Sequence, residues 1–225
     1  LLLAWYQVTT FLAHDPRFAL APDAPEISGA RFASAAQVRR IFAADRGRSV
    51  YLTPVAERRA ELAGLDWVRT ASVSRIWPNR VLVTVDERVP VAYLPPGRSL
   101  LIDAEGALLP APPEVKFAVP VVLGIRARDP LAARQERILR VKRVLDELGE
   151  HAARIPEIDA TEPDNLRVTA AMEDHPVVLL MGDRHYRSRF ETFLKYYPRV
   201  RVSAPGATVL DLRIEDRITA VEDLR

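Results

Sequence analysis

Residues 65–94 read LDWVRTASVSRIWPNRVLVTVDERVPVAYL, and the alternation inside this stretch decides the fold of the first half of the chain. In Val68–Arg75, apolar Val68, Ala71 and Val73 are interleaved with Arg69, Thr70, Ser72 and Ser74. In Val81–Glu87 the alternation is strict: Val81, Val83 and Val85 on one side, Leu82, Thr84 and Asp86 on the other. A period of two is the mark of half-buried antiparallel strands. Trp77-Pro78-Asn79-Arg80 separates the two runs. Proline fixes φ and donates nothing to a ladder, and asparagine tolerates the left-handed region, so this tetrapeptide reads as a turn.

Working upstream, Thr53-Pro54 opens a helix on the rule of a capping residue followed by proline, and Gly64 stops it near Ala63. Ser34 is the N-cap of an earlier helix over Ala35–Ala44, with Val38, Ile41 and Phe42 on one face. Arg17–Ile27 reads as a short irregular strand ending at Gly29. The order is β-α-α-β-β, a small sheet with two helices on one face. Before it, LLLAWYQVTTFL is apolar for about a dozen residues, short of the roughly 20 that span a bilayer. It is either the outer end of a transmembrane helix or a soluble helix packed on the first domain.

Downstream, Ser99–Ala104 and Gly106–Leu109 form a hairpin around Asp103-Ala104-Glu105-Gly106. Val119–Leu123 is a short strand. Leu131–Leu148 is an amphipathic helix burying Ile138, Val141, Val144, Leu145 and Leu148. Ile155–Asp159, Leu166–Ala171 and Val177–Met181 read as successive antiparallel strands. A helix over Tyr186–Tyr196 turns Phe190, Phe193 and Leu194 inward. Val209–Ile214 and Ile218–Val221 make a final hairpin, with Leu210, Leu212 and Ile214 toward the core and Asp211 and Arg213 on the other face, close enough to bridge. The fold class is α+β: a small β-α-α-β-β domain, then a larger and mainly antiparallel β-sheet domain with two helices.

Composition permits this and narrows the chemistry. The chain has 225 residues, 48% of them hydrophobic, enough for one large or two small cores. Lys+Arg number 32 and Asp+Glu 30, a net charge of +2, which gives no argument for nucleic acid. There is no cysteine, so disulfides, thiolate nucleophiles and cysteine metal sites are excluded. His14, His151, His175 and His185 lack ligand spacing. No Gly-rich phosphate loop and no nucleophile elbow occurs. Glu173-Asp174 and Glu215-Asp216 fall in expected turns and read as solvated hairpin tips. Arg184, His185, Arg187 and Arg189 open the second helix of the β-rich domain, either as a solvated face or as a dock for an acidic surface. No catalytic residue, cofactor or metal is assigned.

The last strand, Ile218–Glu222, has no later segment in the sequence to pair its outer side. An open edge offers unpaired N–H and C=O groups, a template for strand addition by a partner. The alternative is an edge protected by the charges Glu215, Asp216, Arg217 and Glu222.

The order of residues in WVRTASVSRIWPNRVLVTVDERVPVAYL resembles the end of the POTRA domain in the FtsQ/DivIB family of bacterial division proteins. LIDAEG and VLDLRIEDRITAV resemble the opening and the closing hairpin of that family's second domain. The resemblance implies domains over 15–90 (POTRA) and 91–225 (β domain), after a helix over 1–14 that is membrane-proximal or the end of a transmembrane segment. It implies a bitopic inner-membrane protein with its bulk on the periplasmic side at the division septum. It would be a scaffold rather than an enzyme. Its partners would be the FtsB–FtsL pair at the last hairpin and other divisome components through the POTRA sheet edge or helix groove. Carried over residue by residue, the resemblance implicates Arg213, Ile214, Asp216 and Arg217 around the turn, the backbone of Ile218, Thr219, Ala220 and Val221, and Arg167 on an earlier strand. Ile214 stands where the family has an aromatic residue, Arg217 replaces a small turn residue, and no tryptophan follows the last strand. The runner-up is an assembly or translocation factor for outer-membrane or exported proteins, using POTRA as a chaperone-like module; such proteins carry tandem units and a barrel.

Overall fold

The structure is a computed structural model and describes residues 2–162, 164–173, 175–214 and 217–221. The chain divides into two compact units, Leu1–Arg88 and Val89–Arg225.

The first unit opens with helix α1 (Leu2–His14), which buries none of its side chains. A 3-10 turn over Pro16–Phe18 follows, capped by Asp15, whose carboxylate accepts from the Arg17 amide at 2.9 Å. Arg17–Ile27 is therefore not one irregular strand. Leu20 is tied to the Arg48 carbonyl, and only β1 (Glu26–Ser28) joins the sheet. Helix α2 (Ala35–Ile41) begins at Ser34, whose hydroxyl accepts from the Gln37 amide. Helix α3 (Val55–Ala63) starts one residue later than the Thr53 cap implied: Pro54 holds the cap position, and buried Thr53 instead accepts a bond from Arg75 Nη2 through its carbonyl at 2.7 Å. Strands β2 (Val68–Ile76) and β3 (Arg80–Glu87) pair antiparallel across the expected turn, Ile76 opposite Arg80. The sheet order is β1-β3-β2, with β1 parallel to β3. Val81, Val83 and Val85 are buried, as are Val38 and Leu62 of the helices and Phe42 just after α2.

Two long-range contacts close this unit. Glu87, at the end of β3, accepts from three consecutive amides ahead of α2, those of Arg31, Phe32 and Ala33, at 2.8, 2.7 and 2.6 Å. Gly29 has φ +81°, and a Cβ there would lie 2.2 Å from the Val85 carbonyl oxygen. Only glycine fits both the turn and that approach.

The second unit is a nine-stranded sheet. Its strands are β4 (Pro90–Leu94), β5 (Leu100–Asp103), β6 (Leu108–Pro110), β7 (Val121–Leu123), β8 (Glu157–Asp159), β9 (Leu166–Ala171), β10 (Pro176–Gly182), β11 (Val209–Asp211) and β12 (Thr219–Val221). Their order is β12-β11-β10-β9-β8-β7-β4-β5-β6. Three pairings are parallel: β4 with β7, β7 with β8, and β10 with β11. Helix α4 (Leu131–Leu148) lies between β7 and β8, and helix α5 (Tyr186–Ser203) between β10 and β11. Each returns the chain to run in its former direction, as a helical crossover does. Ile138, Val141, Val144 and Leu148 of α4 and Tyr186, Phe190, Phe193 and Tyr197 of α5 join the strands in one core. Helix α5 runs past the expected stop at Tyr196, through Pro198, to Ser203. Buried Tyr197 and half-buried Val200 anchor that last stretch to the core, which offsets the hydrogen bond proline forfeits.

The β6 end of the sheet is blunted. The Ala111 amide bonds inward to the Ser99 carbonyl at 2.9 Å. By alternation the nitrogen of Pro110 faces outward, where it has no hydrogen to offer.

Candidate functional site

The β12 end differs. Among the described residues β12 pairs only with β11, Val209 opposite Val221, Leu210 opposite Ala220 and Asp211 opposite Thr219. Which backbone groups remain open follows from the parallel neighbour. The Val178 amide bonds to the Thr208 carbonyl at 2.8 Å, and the Leu212 amide to the Leu180 carbonyl at 3.1 Å. Residues 208, 210 and 212 therefore point their polar backbone groups at β10, and 209 and 211 point theirs at β12. Thr219 and Val221, opposite 211 and 209, turn inward. Ala220 turns its N–H and C=O away from the sheet.

The hairpin is shorter in ladder and longer in loop than its pattern suggests. β11 ends at Asp211, not Ile214. Leu210 and Leu212 are buried as expected, but Ile214 is 60% exposed. The cause is local. Asp211 Oδ1 accepts from the Arg213 amide and from Arg213 Nε, both at 2.9 Å, and Oδ2 accepts from Arg213 Nη2 at 2.6 Å. This pulls the chain out of the extended path after Leu212, and the alternation that would have buried Ile214 is lost. The Arg213 guanidinium holds the Asp211 carboxyl below the usual carboxylate range, and the carboxylate in turn raises Arg213. Asp216, like Glu215 and Glu222, lies outside the described residues.

The expected site residues do not all converge. Arg213, Ile214, Arg217, Ile218, Thr219, Ala220 and Val221 gather at this end of the sheet. Arg167 belongs to β9, three strands in from β12, where it lies 3.9 Å from Glu162; Arg213 Nη1 nevertheless reaches the neighbouring Asn165 Oδ1 at 3.5 Å. The returning chain and α5 enclose two adjoining cavities. One of about 230 Å³ is lined by His185, Arg189, Leu212, Ile214, Arg217 and Ile218. The other, of about 380 Å³, is lined by Tyr196, Arg199, Val200, Ile218 and Ala220. Thr192 and Ile218 border both. Ile214, Ile218 and Val200 thus lie beside β12 together with Arg189, Arg199 and Arg217.

Of the arginine-rich start of α5, Arg189 turns inward. It donates through Nη1 to the Met181 carbonyl and through Nη2 to the Arg213 carbonyl at 2.9 Å. Arg187 instead lies 3.5 Å from Glu191 one turn on. Arg189 was visible in the sequence only as one charge among several; its partners stand eight and 24 positions away. Three of the four histidines have structural settings: His14 Nδ1 is 3.0 Å from the Thr10 carbonyl, His151 packs its ring on Phe190, and His185 takes φ 57° at the start of α5. Among the described residues no group of three or more His, Asp or Glu is placed to hold a metal ion.

Helix α1 shows a different kind of surface. Leu2 is 85% exposed, and Leu3, Trp5, Tyr6, Val8 and Phe11 are also open. At its base, Phe11 packs edge-on against Phe18, and Phe18 against Trp77. Among the described residues no helix is long and apolar enough to cross a membrane.

Residues 26–88 match the family model of the FtsQ-type POTRA domain. The chain is 31% identical over 222 residues to the cell division protein FtsQ of Koribacter versatilis, covering 95% of this chain and 64% of that protein. It is 29% identical over 209 residues to FtsQ of Rhodothermus marinus, covering 88% and 76%, and 33% identical over 126 residues to FtsQ of Myxococcus fulvus, covering 54% and 44%. The chain thus spans just under two thirds of the length of the Koribacter relative.

Proposed function

The chain belongs to the FtsQ-type family of bacterial cell division proteins, and on that premise we propose that it is a non-enzymatic divisome scaffold that captures the FtsB–FtsL pair by extending its nine-stranded sheet. The carrying observation is that, among the described residues, β12 pairs on one side only, with the backbone of Ala220 phased outward. A partner strand laid there completes the ladder, and affinity comes from main-chain bonds while neighbouring pockets select side chains. Ile214, Ile218 and Tyr196 offer apolar seats, and Arg217 and Arg199 favour a partner with acidic flanks. The POTRA unit, with β1 and β2 at its two sheet edges, serves other divisome components. Helix α1 is the outer end of a single inner-membrane anchor, which accounts for an apolar surface left open to its surroundings, and the rest of the chain works on the periplasmic side at the septum.

The test is a pair of prolines. Ala220→Pro removes an outward N–H and leaves the β11 ladder intact, as an edge strand allows. Thr219→Pro removes an inward one and loosens β12 itself. Capture of the soluble FtsB–FtsL pair should weaken about tenfold or more in Ala220→Pro, the loss of one main-chain bond plus a clash with the added strand, while thermal unfolding stays unchanged. Undiminished capture by a folded Ala220→Pro would exclude this edge.

A further inference from the structure

We propose that Arg189 is a positioning residue of the docking edge: its guanidinium fork holds two backbone carbonyls and so fixes where the chain leaves the sheet on its way to β12. The inference rests on the reading of β12 as the docking strand. The two carbonyls belong to Met181, near the end of β10, and to Arg213, in the loop that returns to β12. Because Asp211 already takes the Arg213 amide and guanidinium, residue 213 is held on both sides, amide by Asp211 and carbonyl by Arg189.

The site is shaped around that fork. Gly182 has φ +66°, and a Cβ there would come within 2.9 Å of Arg189 Nη1 and 3.4 Å of Arg213 Cγ. Glycine thus clears the space through which the two arginines pass. Arg189 also lines the 230 Å³ cavity together with Leu212, Ile214, Arg217 and Ile218, so the clamp and the apolar seat beside the edge are one construction. The hydrophobic anchors of this region, Phe190, Phe193, Leu210 and Leu212, lie in the core and do not need the clamp to stay buried. What the clamp adds is a defined departure angle. With β12 only three residues long, a loose departure would leave its outward groups unaligned. A planar guanidinium suits two diverging acceptors; a lysine ammonium keeps the charge but lacks the fixed fork.

The test compares Arg189→Lys with the unaltered chain in two measurements. In the free protein, amide exchange over 209–221 should quicken in Arg189→Lys while the melting temperature moves by no more than about 2 °C. With the soluble FtsB–FtsL pair, dissociation should speed up about fivefold to tenfold, as expected for one lost charge-assisted bond. Gly182→Ala, which crowds the same fork from the other side, should quicken the same exchange and the same dissociation, with a larger fall in melting temperature because a methyl is strained at φ +66°; it stands in should Arg189→Lys not fold. Unchanged exchange overturns the clamp. Faster exchange with unchanged capture, in a background where Ala220→Pro abolishes capture, overturns the positioning role and leaves the docking edge standing. Capture insensitive to Ala220→Pro as well removes the docking edge and this proposal with it.

Discussion

Glu87→Ala should be the most damaging single change at the end of β3. One carboxylate oxygen, Oε1, receives three successive amides at 2.6–2.8 Å. Hydrogen bonds to a charged acceptor contribute about 1.5–3 kcal/mol each. The Arg31 amide lies in an exposed setting and water can replace its partner, whereas those of Phe32 and Ala33 are partly buried. Counting those two alone gives a loss of about 3–6 kcal/mol. Glu87→Gln keeps an acceptor without its charge and should lose about half of that, roughly 2 kcal/mol. The assay is direct, because all three tryptophans, Trp5, Trp67 and Trp77, fall in the first unit. Trp67 also packs against Phe32, ring centroids 4.8 Å apart, beside the capped amides. Tryptophan emission in urea therefore follows this unit alone. With a slope of about 1–1.5 kcal/mol per molar for a domain of this size, the Glu87→Ala midpoint should fall by about 2 M at least and by up to about 6 M. A midpoint within about 0.3 M of the unaltered chain would show that the three bonds are matched by water in the variant, and the reasoning would fail.

Three more outcomes are expected. Gly29→Ala places a methyl 2.2 Å from the Val85 carbonyl at a positive φ and should cost about 3 kcal/mol or more, read by the same emission; a cost below about 1 kcal/mol would contradict the packing. Arg58→Met strands Asp45, which is 2% exposed at its side chain and bound by Arg58 Nε at 2.6 Å and Nη2 at 3.1 Å; the loss should be about 3–5 kcal/mol and should be largely recovered by adding Asp45→Asn, so failure of the double variant to recover would refute the pairing argument. The Asp211 carboxyl is depressed by Arg213, so its contribution is full above the unfolded carboxyl pKa and fades as pH falls through the lower folded value. Because the Arg213 side chain is 46% exposed, the contribution is only about 0.5–1 kcal/mol. The stability gap between the chain and Asp211→Asn, followed by circular dichroism, should close below about pH 4; a gap that widens there would reverse the assignment.

The parts of this molecule legible in its sequence are those set by near neighbours. The valine alternation of Val81–Glu87 gave the buried face of β3, the Ser34 hydroxyl capped the helix it preceded, and the spacing of Ile138, Val141, Val144 and Leu148 gave the inner face of α4. Period alone says which side of a strand is wet, not which strand lies beside it. The parallel pairing of β10 with β11 depends on α5 crossing between them, and the length of α5 depended on Tyr197 and Val200 finding the core despite Pro198. Alternation carried past Asp211 would bury Ile214, but the side-chain bridge from Asp211 to Arg213 overrides it. At the candidate site, the last strand was visible as a terminal element, while the outward phase of Ala220 needed the bonds of Thr208 and Leu212 to β10. Glu87 and Arg189 were visible only as charges, because the amides and carbonyls they hold are up to 56 and 24 residues away.

Pro110 and Ala220 give the nine-stranded sheet two unlike margins. On the docking reading, a guest ribbon pairs along Ala220, whereas a second copy meeting the other margin finds no N–H at Pro110 and forms one ladder bond fewer there. Head-to-tail stacking of copies is thereby disfavoured relative to a symmetric couple joined through β12, and a guest at β12 competes with that couple for the same groups.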